Sequence, residues 1–97
     1  MVMQANPVLS ALAEEMHISE ADLIKQGTRA LLERRLRQTK ADIFEVTSRY
    51  GIATVEEMEA RYRAGTLEEA ESWRDLERLD HLEFERDRLQ QLLETLA

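Results

Sequence analysis

The chain has no cysteine, one proline, three glycines and five aromatic residues in 97 positions, and each scarcity removes a class of explanation. Without cysteine, neither a disulfide framework nor a thiolate metal site can form. Three scattered glycines supply no glycine-rich phosphate loop, and no Gly-x-Ser-x-Gly nucleophile elbow occurs. No stretch approaches the roughly 18 apolar residues of a membrane span, and the opening MVMQANPVLS lacks the basic and apolar regions of a signal peptide. The expectation is a cytoplasmic protein in a reducing compartment, without membrane association.

What is present belongs to helices. Charged residues make up 34% of the chain and apolar ones 43%, with Leu and Ala prominent, which is the composition of long helices or coiled coils. A chain of this length buries only a modest core, so oligomerisation is expected, with a dimer as the simplest state. The net charge of -7 is unevenly spread. Residues 1–24 hold four acids and no Lys or Arg; residues 25–40 hold six basic side chains (Lys25, Arg29, Arg34, Arg35, Arg37 and Lys40) against Glu33 alone; from Thr54 onward thirteen acids face six arginines. One basic stretch therefore sits within an acidic protein.

Asn6-Pro7 places a capping residue before a proline suited to the first helical position, and the stripe Val8, Leu9, Leu12, Ala13, Met16 predicts a short helix over 7–17. Ser19-Glu20-Ala21-Asp22 resembles a capping box and opens a long helix over 20–50, closed by Gly51. Thr54-Val55-Glu56-Glu57 opens another short helix over 55–64, which Gly65 ends. Two capping signals follow, at Thr66 and at Ser72; Ser72 is preferred, giving a last helix over 73–96.

Both long helices carry seams. Leu32, Leu36, Thr39, Ile43, Val46 and Tyr50 alternate at four and three residues, and Leu79, Leu82, Arg86, Leu89, Leu93 and Leu96 at three and four. The predicted fold is therefore all-α: two long helices in an antiparallel hairpin, with short helices at the N-terminus and in the connection, assembling as a helical-bundle oligomer. Leu32, Leu36, Ile43, Val46, Leu79, Leu82, Leu89 and Leu93 are its expected oligomer core. The alternative is an independent coiled coil from each long helix.

Catalytic constellations are missing. Glu77, His81 and Glu85 share one helix face and could hold a cation weakly, but side-chain pairing on a solvated face accounts for them. His17 has Glu14 three residues before it, without the second copy a di-iron site needs. Lys25, Arg29 and Arg37 fall on one face that could meet phosphates, yet no aromatic interleaves with them for base stacking. Neither enzymatic activity nor a cofactor is expected, and nucleic-acid binding by the isolated protein is not expected either.

The segment VLSALAEEMHISEADLIKQGTRALLERRLR resembles the helix, turn and second helix of ribbon-helix-helix antitoxins, with His17-Ile18-Ser19 as the turn. The preceding MVMQANP lacks the alternating pattern of the strand such proteins use to read DNA. Tyr50-Gly51-Ile52, then Glu56-Glu57-Met58-Glu59, then Trp73, Asp75 and Leu79-Asp80-His81-Leu82-Glu83 follow the order found in small prokaryotic proteins regarded as antitoxins. That resemblance implies a protein that binds and neutralises a cognate toxin from the adjacent gene, most often a ribonuclease. A DNA-binding autoregulator and a structural coiled-coil adaptor are the competing readings. The expected partner surface is Trp73, Leu76, Asp80, His81 and Phe84, because Phe84 lies off the leucine seam and aromatics flanked by polar groups make good binding anchors.

Overall fold

The computed structural model describes residues 6–97. Most of the segment expected to form no recognition strand, residues 1–5, lies outside the described residues. Four helices follow in order: α1 Pro7–Met16, α2 Glu20–Tyr50, α3 Val55–Ala64 and α4 Glu69–Leu96, with no strand among the described residues.

Local capping chemistry sets most of these boundaries. Asn6 Oδ1 accepts the N–H groups of Val8 and Leu9, Ser19 Oγ that of Asp22, and Thr54 Oγ1 that of Glu57. Each satisfies donors that a helix start leaves without partners. Glu57 reaches back to the N–H of Ala53 at 2.7 Å, a near-variant of the capping box expected there. At the C-termini, Gly51 and Gly65 take φ of 62° and 71°, the left-handed conformation that glycine adopts without steric cost. His17 does the same at φ 56° without that freedom.

The start of α4 differs from expectation. The helix begins at Glu69, four residues before the expected Trp73, and its N-cap Glu68 makes no side-chain capping bond. Ser72 is not a cap: its hydroxyl donates to the Glu68 carbonyl at 2.6 Å and lies 2.7 Å from the Tyr62 hydroxyl. A serine 2% exposed is held by tertiary packing, and that use outweighs its propensity to start a helix.

Helices α2 and α4 run antiparallel. Arg49 and Tyr50 both reach Asp75, while Thr39 and Asp42 line one cleft with Glu85, which fixes the register of the pair. The expected seams therefore face each other within one chain. Ile43, Val46, Leu79 and Leu82 form the core with Ile52, Val55 and Met58, where α3 folds over the closed end. Of these, Ile43, Val46, Leu79 and Leu82, expected from the sequence in an oligomer core, lie in the interior of a single chain.

Further along, Leu89 is buried, but Leu32, Leu36 and Leu93 remain half-buried. Helix α1 packs against the beginning of α2. The result is a rod of 61 × 27 × 20 Å with a radius of gyration of 19.9 Å, against about 12.5 Å for a compact chain of this length. Gly27 sits within α2 with nothing within 4 Å of the space a Cβ would take, so no close packing in the chain accounts for it.

Candidate functional site

Three polar bridges lock the closed end and so set the face that α4 presents. Arg61 of α3 donates to the carbonyls of Tyr50 and Gly51 at 2.5 and 3.0 Å, satisfying acceptors at the end of α2. Glu83 of α4 accepts the N–H of Val55, the first residue of α3, at 3.0 Å. Tyr50 and Arg49 close the triangle on Asp75. No buried side-chain nitrogen or oxygen among the described residues lacks a partner, as expected of a polar network that rigidifies its surroundings.

With Leu79, Leu82 and Leu89 turned inward, the opposite side of α4 faces outward. Phe84 is 71% exposed there, which excludes a core-filling role for it within the chain. Trp73, 44% exposed, carries the Arg74 guanidinium 5.4 Å from its ring centroid. Trp73 and Phe84 are eleven residues apart, three helical turns, so they lie on one stripe about 16 Å apart. Asp80 lies between them, exposed, and Phe84 continues into a shallow groove with Asp87, Arg88 and Gln91.

The other two expected surface residues behave differently. Leu76 is half-buried and packs against the core, so it supports the helix from beneath and does not belong to the outer surface. His81 is exposed, and its Nε2 is 4.0 Å from Glu85. Glu77 does not join them in a ligand set: among the described residues no three His, Asp or Glu side chains gather to hold a metal ion. Trp73, Asp80 and Phe84 are thus exposed along one stripe of α4, with His81 at its margin and Leu76 turned to the core.

Several exposed apolar side chains escaped the sequence reading. Phe44 is 71% exposed on α2, beside the buried seam residue Ile43. Its offset from the seam is the same signal that marked Phe84. Ile24 and Leu31 on α2 are 52% and 44% exposed, and they were hidden among the apolar residues of a long amphipathic helix. No described helix is long and apolar enough to cross a membrane.

Fold and surface together define an all-α helical hairpin with an exposed aromatic and acidic stripe. The chain belongs to the family described as the Uncharacterized protein MJ0235 family, whose model matches residues 1–97. No curated protein and no solved structure matches the chain.

Proposed function

We propose that this protein is antitoxin-like: it binds and neutralises a cognate toxin, a ribonuclease encoded beside it, through helical surfaces and without catalysing a reaction. It acts in the cytoplasm as a homo-oligomeric helical bundle. The observation that carries the reading is Phe84, 71% exposed on a rigid helix with Trp73 on the same stripe. Large aromatics held in water by a well-packed scaffold are the anchors that binding interfaces favour.

Charge supports the same direction. The stripe lies in the acidic part of the chain, where Asp80 and Asp87 flank Phe84. An acidic, aromatic surface complements the basic face with which a ribonuclease grips its substrate, and opposite potentials speed encounter. The resemblance of the turn and C-terminal motifs to prokaryotic antitoxins supplies the toxin as partner class.

Co-expression with the product of the adjacent gene tests the proposal. Growth should be rescued and the two proteins should co-purify, and the doubly substituted Phe84→Ala, Asp80→Lys chain should do neither while remaining folded. Toxicity that persists with the wild-type chain present, with no co-purification, would remove the antitoxin reading.

A further inference from the structure

The seam residues Leu36, Thr39, Ile43 and Val46 turn one side of α2 toward α4. Arg34, Arg37, Ala41 and Phe44 repeat that spacing two residues earlier, about 200° around the helix, so they line the side that faces away from α4. All four are exposed, Phe44 at 71%. Lys40, also exposed, stands about one turn from both Arg37 and Phe44. The basic face legible in the sequence, Lys25, Arg29 and Arg37, has no aromatic residue; this outward stripe has one.

Its charges are uncommitted. Among the described residues none of Arg34, Arg37 and Lys40 lies within 4.0 Å of a carboxylate. Of the acids on neighbouring turns, Glu45 is paired with Arg49 at 3.2 Å, Asp42 accepts from Gln38 at 2.9 Å, and Glu33 flanks the stripe. The acidity of the chain lies mostly elsewhere: residues 54–84 hold ten acids against four arginines, whereas α4 from Glu85 onward, which runs beside the basic stretch, holds three acids against two arginines. The ring is free as well. Among the described residues the cation lying over an aromatic ring is Arg74 on Trp73, and Phe44 carries none.

We propose that Arg34, Arg37, Lys40 and Phe44 form a binding face for single-stranded nucleic acid, in which the Phe44 ring stacks on an unpaired base and the three cations hold the phosphates that lead away from it. Cations alone would suit any polyanion; the exposed aromatic in line with them singles out a polyanion that carries planar bases. Stacking needs an open base face, which a duplex does not offer along its length, so the ring selects single strands. Arg34 and Phe44 are ten residues apart, about 15 Å along the helix, which gives room for a few nucleotides. The net charge of -7 keeps the affinity modest and sensitive to salt. This face is on α2, whereas the Trp73–Phe84 stripe is on α4, and the inference does not depend on the toxin.

Fluorescence anisotropy of labelled oligo(U) and oligo(dT) of about twelve nucleotides, titrated with the full chain, tests it. Binding should saturate at about 50 mM salt and weaken as salt rises, with a logarithmic slope of about 2 for three phosphate contacts. Phe44→Ala should raise the dissociation constant about tenfold, and Phe44→Trp should restore it. Arg37→Ala and Lys40→Ala should each weaken binding and flatten the salt slope. Phe84→Ala, which removes an equally exposed aromatic from the acidic helix, should bind as the wild type does. Circular dichroism should show helicity retained in all of these, since every substituted side chain is exposed. Absence of binding to either oligonucleotide at low salt would overturn the proposal. Binding that Phe44→Ala leaves unchanged, or that a duplex of the same length or vesicles containing phosphatidylserine match, would also overturn it, because the face would then be a site for negative charge of any kind and not for bases.

Discussion

Tyr50, the last residue of α2, donates its phenolic hydrogen to Asp75 of α4, and Arg49 donates to the same carboxylate oxygen at 3.1 Å. One acid thereby joins the end of the first long helix to the early part of the second. Its charge holds the Arg49 guanidinium above its already high ordinary value. The hydrogen bond to Asp75, aided by partial burial, raises the Tyr50 phenol above its ordinary value of 10.0.

An alkaline dependence of stability follows. Above about pH 10 the unfolded chain releases the Tyr50 proton that the folded chain keeps, so stability falls as pH rises through the folded value. Below that range the contribution is fully present. Tyr50→Phe should cost about 1 kcal/mol at neutral pH, and the difference from the wild type should shrink in strongly alkaline buffer. Urea unfolding at about pH 8 and above about pH 11 measures this; a difference that stays constant would show that the bond to Asp75 is not what holds the phenol protonated.

Much of the fold is legible in sequence because its determinants are local. Asn6-Pro7, Ser19 and Thr54 each act within three residues, and the glycine stops at Gly51 and Gly65 need only their own φ. The seams are also legible, since periodicity shows which face is apolar. Periodicity does not show what covers that face, which is why Ile43, Val46, Leu79 and Leu82 could be assigned to an oligomer although one chain buries them. Ser72 illustrates the same boundary: whether its hydroxyl caps a helix or bonds to Tyr62 depends on packing between elements. Of the candidate site, Phe84 is legible as an off-seam aromatic, whereas Leu76 is separated from it only by the position of α3 and the core beneath.

Glu83 offers a second measurable link. Its carboxylate serves the N–H of Val55 from 28 residues away, a charge-assisted bond at the positive end of the α3 dipole. Glu83→Ala leaves that part-buried donor without its partner and should destabilise by about 1–3 kcal/mol. Glu83→Gln keeps an acceptor in place and should cost less. Thermal or urea unfolding of the two variants orders them; equal losses would mean that the side chain contributes through packing alone.

Phe84 provides the sharpest contrast between surface and core, with Met58 as the reference. Met58 is fully buried where α2, α3 and α4 meet, and Phe84 is 71% exposed on the far side of α4. Truncating Met58 to Ala removes apolar contacts that nothing nearby can replace and should cost about 2–5 kcal/mol. Truncating Phe84 to Ala removes a ring that is mostly in water already, so the change should stay within about 0.5 kcal/mol of the wild type, as for other surface substitutions. The two variants should therefore separate by several degrees or more in midpoint temperature, with Phe84→Ala close to the wild type and Met58→Ala well below it. A loss near 3–5 kcal/mol for Phe84→Ala would mean that its ring is buried in solution, by the second copy or otherwise, and that it does not present a free anchor to a toxin. Wild-type stability combined with failed toxin neutralisation is the pattern expected of a residue that is spent on a partner and not on the fold.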